Sequence, residues 1–507
     1  MLVHLTPVDL LCDAMGLCSA FAVAVPPGWT AEDTAAFEGR LKTAADRVVR
    51  KWPFLAGIPK RLGPKLWAID VPDDVDELSK TRKLFALTSS SQNVPYHQAA
   101  GCSSPLSPLS SAKSGFLPDP KTELFCPPSV PADFTARVKQ NLPLLHLHVT
   151  SFTDALAVGV NLPHGAFDGT GMGLVVRGLD AELHGREWQV PPVFEINPMQ
   201  ETCDAMVRDE SLKSDDDLSA QLSGYTDSAS LVAVARVISS ALWEGTWFKC
   251  TERRVFFRQA LLDSIAKKVK AEVHAKTGGK EYVSSGDVLV AWLLKTFHEG
   301  ETDTSSFYAA DPVYSLRSLL TTYTNPDGSS HDFSLYPHNS VVPYVVPPGH
   351  SIPLSEFASI PLSTLALDFR RGLLHDRTLP VLREVWRLQA LSKGPLIPVK
   401  DWPELPSFLR RILPFETPHT TRWNMSNQTT LGFADLHLPG KDGQDLPLLS
   451  FYLFVQAPVA VDHYCGWQDV PGAGITLCGS TRKSRWDNLE RAMNKIEEEL
   501  AAEEAEK

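Results

Sequence analysis

Two apolar runs separated by a polar break stand at the middle of the chain. Leu144–Thr153 and Leu156–Leu162 are rich in Leu and Val, and Asp154-Ala155 interrupts them, so the pair predicts a β-hairpin. Next comes Pro163-His164-Gly-Ala-Phe-Asp168-Gly169, then Gly173-Leu-Val-Val-Arg-Gly-Leu-Asp-Ala-Glu-Leu183, whose apolar spacing predicts a helix. His164 therefore falls at a strand-to-helix corner. A carboxylate follows four residues on, with glycines that let the backbone turn tightly.

The same rhythms recur on both sides. Residues 31–51 predict a helix with an apolar stripe of Ala35, Phe37, Leu41, Ala44, Val48 and Val49, and 60–72 predict a strand around Trp67. Residues 88–132 are rich in Ser and Pro and predict a long surface insertion. An acidic run over 209–217 opens a crossover. Within that crossover, 230–243 predict a buried helix, or alternatively an interfacial one. Beyond it come a strand at 253–258, a helix at 261–276 and a helix capped by Ser285 or Gly286. Farther on, the pattern predicts a strand at 341–346, helices at 354–373 and 380–392, and strands at 446–455 and 474–478. A charged helix over 485–504 closes the series. Strands alternate with helices throughout, so the expected class is mixed α/β in two halves, 1–208 and 251–507, joined by 209–250.

Bulk properties narrow the function. With 507 residues, 43% hydrophobic and 21% charged, the chain is globular and long enough for two cores. Its net charge of −12 argues against nucleic acid and against adsorption to an anionic membrane. The eight cysteines show no metal-like spacing and read as free thiols of a reducing compartment. The first residues lack a basic stretch and are broken by Pro7 and Asp9, so the expected location is cytoplasmic.

The chemistry centres on His164. An imidazole with an ordinary pKa of about 6.5 can act as a general base, which contributes roughly 10²–10⁴-fold to a transfer reaction. A structural His–Asp pair at a tight turn is the plain alternative. His146 and His148 share one strand face without a third metal ligand nearby. Ser426 and Asn427 could present donors to an oxyanion, or form a polar turn before a strand. Residues 480–485 could grip a phosphate, or be a capped helix start with solvated charges. No G-x-S-x-G nucleophile elbow occurs.

His164-Gly-Ala-Phe-Asp168-Gly169 resembles the HxxxDG signature of the BAHD-type acyl-CoA-dependent acyltransferases, and within them the fungal trichothecene acetyltransferase-like O-acyltransferases. Leu5-Thr-Pro-Val-Asp-Leu10, Lys51-Trp-Pro-Phe-Leu-Ala56, the stretch 283–292, and Ala310–Leu319 followed by Tyr336-Pro-His-Asn339 resemble further segments of that family, in order. The resemblance implies two chloramphenicol-acetyltransferase-like mixed-sheet domains with a tunnel at their interface. It also implies acyl-CoA as co-substrate without another cofactor or metal, an alcohol acceptor, and a monomer. His164 and Asp168 would be the catalytic pair, supported by Gly169, by Arg317 meeting Asp168, and by Asp435 of a late motif. The chain departs from the family at Ser315 and Leu319, where an acid and a second arginine are expected, and around Asp435. Two alternatives remain beside direct transfer from acyl-CoA. One is condensation-like transfer from a carrier-protein thioester, and the other is a non-catalytic ligand binder.

Overall fold

The computed structural model describes residues 1–213 except 7, 13, 64–65 and 132. Beyond these it describes 225–227, 246, 250–302, 307–342, 352–391, 396–398, 420–456 and 464–506. The predicted helix at 230–243, most of the 209–250 crossover and the second part of the 341–346 strand lie outside the described residues.

Two mixed sheets carry the architecture. The first has five strands in the order Leu448–Gln456, Gly16–Ala24, Ala155–Pro163, His146–Ser151, Ala86–Ser91. Its last two strands run parallel and the rest antiparallel. The second sheet runs Val341–Val342, Phe307–Ser315, Thr420–Asn427, Tyr464–Val470, Gly474–Arg482, Cys250–Arg258, Gly115–Phe116. Each sheet thus takes a strand from the other half of the chain. Phe451 lies opposite Phe21 in the first, and Phe116 opposite Val255 in the second.

Each sheet has its own core. The apolar face of the first, including Leu156, Val158, Val160 and Leu162, packs on helices Ala31–Lys51 and Gly169–Leu183. Helix Ala31–Lys51 opens on a reciprocal Thr30–Asp33 capping box and buries Phe37, Leu41, Ala44, Ala45, Val48 and Val49. Ala35, assigned to that stripe from its spacing, is exposed, and Ala45 is buried in addition. The two helices are tied by Glu182, which accepts from Arg47 and Trp188 and pairs with Lys51. The second core joins helices Gln259–Thr277, Ser285–Phe297, Leu362–Asp376 and Lys483–Ala505 to the second sheet, with Trp423, Trp467 and Trp486 buried at its centre.

Several expectations are corrected. Residues 88–132 are largely surface-lying but not a bare loop: the segment packs Tyr96, Leu124 and Phe125 on the first sheet and supplies Gly115–Phe116 to the second. Its composition cannot fold alone, but its few large apolar side chains are enough to seal a sheet face already present. Ser284, one residue before the expected position, caps the Ser285–Phe297 helix by a reciprocal bond with Asp287. The helix expected from 354 begins at Leu362, because Pro361 disfavours helical geometry at the residue before it. Asn424–Asn427 is the end of a strand rather than a turn leading into one.

Candidate active site

His164 follows directly on the strand Ala155–Pro163, and both of its backbone groups are held. Its N–H donates to Met15 O at 2.8 Å, extending the pairing in which Pro163 faces Gly16. Its carbonyl accepts Asn339 Nδ2 at 2.6 Å. Asn339 also donates N–H and Nδ2 to Asp9 Oδ1, at 2.8 and 3.2 Å. The other Asp9 oxygen accepts Thr6 N and Thr6 Oγ1 at 2.7 and 2.8 Å. Asp9 is buried, which raises its pKa, while His338 and these hydrogen bonds partly offset the shift.

The imidazole has a thiol for a neighbour. Cys12, at the end of the short 3-10 helix Asp9–Cys12, lies against the ring. Burial alone would favour neutral imidazole. Interaction with Cys12, assisted by the backbone and by the Asp168 charge, outweighs it and raises the His164 pKa to about 9. Nδ1 of His164 is buried without a hydrogen-bond partner.

Asp168 faces away from this pair of groups. Its Oδ1 caps the helix Gly169–Leu183, accepting Thr170 N and Gly171 N at 3.0 and 3.2 Å. Arg317 Nη2 and Nη1 donate to Oδ1 and Oδ2, both at 2.8 Å, and Ser340 N donates to Oδ2 at 3.2 Å. The remaining guanidinium donors reach Tyr336 O, His338 O and Ser315 Oγ. Ser315 thus serves as an acceptor where the family pattern places a carboxylate. His338, through Nδ1 to Ala166 O at 2.9 Å and its ring against Phe54, braces the same corner.

The glycines here answer to close packing, not to turning. None of Gly169, Gly171 or Gly173 has positive φ. A Cβ on Gly171 would stand 2.1 Å from Pro337 O, and one on Gly173 1.6 Å from Leu431 O. One on Gly169 would stand 2.4 Å from Leu431 Cδ1. The bare helix face lets two remote segments rest on it.

Other candidates stand elsewhere. Asp435 is 3.7 Å from Arg177 Nη1, and the same nitrogen donates to Leu431 O, so both belong to the contact between the late loop and the helix. Ser426 Oγ accepts Gln428 Nε2, and Asn427 Oδ1 accepts Thr429 N and Oγ1. No hydrogen bond among the described residues joins either one to His164. His146 and His148 are buried and share Thr88 Oγ1 at 2.9 and 2.8 Å; burial, assisted by Arg137, lowers His146 to about 3. The described residues contain no cluster of His, Cys, Asp and Glu arranged to hold a metal. Arg485 is buried beside Trp423 instead of solvated, and Arg482 precedes the last helix without a side-chain cap.

Asp9, Cys12, Asn339 and Ser340 complete this site, and the sequence pattern assigns none of them a role. Thr6-x-x-Asp9 has a capping-type spacing that marks a locally bonded turn. Nothing local in the sequence links Cys12 with His164.

No protein-family model matches the chain. It is 30% identical over 207 residues to a protein named transcriptional regulator calD, from Penicillium decumbens, covering 39% of this chain and 40% of that one. It is 25% identical over 257 residues to O-acyltransferase pboC of Aspergillus ustus, covering 50% and 49%. The matches thus span less than half the length of these curated relatives. Among solved structures, TRI101 of F. sporotrichioides complexed with coenzyme A and T-2 aligns at TM-score 0.59 and 16% identity, over 96% of this chain and 97% of that one. Vinorine synthase aligns at TM-score 0.51 and 13% identity, covering 97% and 93%. The epimerization domain of tyrocidine synthetase B aligns at TM-score 0.54 and 11% identity, covering 99% and 98%. The chain has the two-domain mixed α/β fold of these enzymes, and the resemblance to BAHD-type acyltransferases is met at the level of the fold. No helix among the described residues is long and apolar enough to cross a membrane.

Proposed function

We propose that this protein transfers an acyl group from acyl-CoA to a hydroxyl of a small-molecule acceptor of secondary metabolism, with His164 as general base. The observation that carries the reading is the corner itself. The imidazole is fixed at both of its backbone groups, and Asp168 and Arg317 clamp the helix start behind it. The donor enters one side of a tunnel between the lobes (1–208 and 251–507, joined by 209–250) and the acceptor enters the other. His164 takes the hydroxyl proton as the oxygen attacks the thioester carbonyl. The tetrahedral intermediate then collapses, the C–S bond breaks, and the imidazolium returns the proton to the departing coenzyme A thiolate. No covalent acyl-enzyme forms, and the chain works as a cytoplasmic monomer with acyl-CoA as its one cosubstrate.

The fold shared with CoA-bound TRI101 supports an acyl-CoA donor, and the name of the Aspergillus relative supports O-acylation. The fold shared with a peptide-synthetase domain favours a second reading, in which a carrier protein presents the thioester. The name of the Penicillium relative fits a non-catalytic binder, against which the intact His164 site counts. Thiol release from acetyl-CoA and longer acyl-CoAs, measured for the parent and for His164→Ala, tests the proposal, because slow transfer to water needs no known acceptor. Loss of release in the variant supports it. Unchanged release removes His164 from the mechanism. If neither protein releases thiol, a coenzyme A titration separates the other two readings.

A further inference from the structure

We propose that Cys12 is a covalent modification site within the acyl-donor region, where it forms a mixed disulfide with small disulfides and preferentially with coenzyme A disulfide. This rests on the acyl-CoA reading above. If His164 protonates the departing thiolate, the coenzyme A sulfur must come within hydrogen-bond reach of the imidazole. Cys12 lies against that same ring. Its place there is fixed by the backbone: Cys12 O accepts Met15 N at 2.9 Å, and Met15 O accepts His164 N at 2.8 Å. Asn339 Nδ2 ties Asp9, at the start of the same 3-10 helix, to the His164 carbonyl. The thiol and the base therefore belong to one rigid unit.

One further feature points to a polar ligand here. Asn339 Oδ1 and Ser340 Oγ, both on fully buried residues, have no hydrogen-bond partner, and neither has His164 Nδ1. Cys12 is half-buried, as are Cys102, Cys250 and Cys478, whereas Cys18, Cys126, Cys203 and Cys465 are sealed in the cores; what sets Cys12 apart is the His164 ring beside it.

The exchange balances. His164 in its neutral form takes the thiol proton, and Cys12 Sγ attacks one sulfur of coenzyme A disulfide. The new S–S bond forms as the old one breaks, and the released coenzyme A thiolate recovers the proton. Coenzyme A disulfide is the oxidant and is reduced to one free and one protein-bound coenzyme A sulfur. The adduct fills the donor path and engages the neighbour of the base, so acyl transfer stops until a dithiol reduces it.

The test incubates the full chain with coenzyme A disulfide or with oxidised glutathione and follows labelling by intact-mass and peptide mass spectrometry. One coenzyme A adduct is expected on the peptide holding Cys12. It should be reversed by dithiothreitol and absent in Cys12→Ser, whose fold is checked by its circular dichroism and melting curve. Because coenzyme A recognition holds the reacting sulfur at the thiol, labelling by its disulfide should be about tenfold faster, or more, than labelling by oxidised glutathione. Equal rates would overturn the donor-site assignment and leave a generic reactive thiol. No adduct on a protein that binds coenzyme A or cleaves acetyl-CoA would overturn the proposal while the acyl-CoA reading stands. No adduct together with no coenzyme A binding would overturn both.

Discussion

Arg317 engages both oxygens of Asp168, each at 2.8 Å, and its other guanidinium donors reach Tyr336 O, His338 O and Ser315 Oγ. The planar fork is fully satisfied, and one side chain gathers the helix start, the 336–340 segment and the end of a strand from the second sheet. Asp168 therefore shapes the corner that carries His164 and does not touch its ring nitrogens. Both partners are buried. Removing one leaves an uncompensated buried charge, so Arg317→Ala or Asp168→Ala should each cost about 3–5 kcal/mol in denaturant unfolding. The double variant should lose less than the sum of the two. Arg317→Lys, which supplies a point charge in place of a fork, should recover only part of the loss.

Asn339 acts on His164 through the main chain. Asn339→Ala removes the donor to the His164 carbonyl and leaves that group and Asp9 under-bonded, a loss of about 1–3 kcal/mol. In thiol-release kinetics kcat should fall while KM for the acyl-CoA stays near the parent value. Asn339→Asp sets a second carboxylate against buried Asp9, whose pKa burial already raises. That variant should be less stable than the alanine at neutral pH and should close the gap as pH falls.

A base whose pKa is raised to about 9 is mostly protonated at neutral pH. Activity needs the neutral imidazole, so kcat/KM should climb with pH and level off only above about 9. Cys12→Ala deletes the principal interaction opposing burial, so the ascending limb should move to lower pH. A limb that stays in place in Cys12→Ala would separate the thiol from the titration of His164.

Local rhythm made the hairpin, the Ala31–Lys51 helix and the corner at His164 legible in the sequence, because period and capping are properties of adjacent residues. Long-range pairing left no such trace. The approach of Leu448–Gln456 to Gly16–Ala24, and of Gly115–Phe116 to Cys250–Arg258, is decided by which sheet edge each apolar run can cover. The residues around His164 divide the same way. His164, Asp168 and Arg317 could be picked out by motif; Asp9 and Asn339 stand in segments that resemble the family, but their meeting with His164, like that of Cys12, comes from contacts between segments remote in sequence. The helix glycines were visible, but their reason was not. A tight turn would show as positive φ, and what these residues provide instead is room for Pro337 O and Leu431 O.

That distinction makes opposite predictions for one kind of substitution at two positions. Gly39 lies on the exposed side of helix Ala31–Lys51, and a Cβ there meets nothing within 4 Å. Gly39→Ala should stabilise the protein by about 0.5–1 kcal/mol, the ordinary gain of alanine over glycine inside a helix. Gly173 has the same helical backbone, but its Cβ would lie 1.6 Å from a main-chain oxygen, which cannot swing aside as a side chain can. Gly173→Ala must push the 431 segment off the helix and break the Arg177 bond to Leu431 O. Overpacking of this kind costs about 1–3 kcal/mol, so the two alanines should shift the melting temperature in opposite directions. If Gly173→Ala were instead as stabilising as Gly39→Ala, the late loop would not rest on this helix, and the placement of Asp435 beside Arg177 would fall with it.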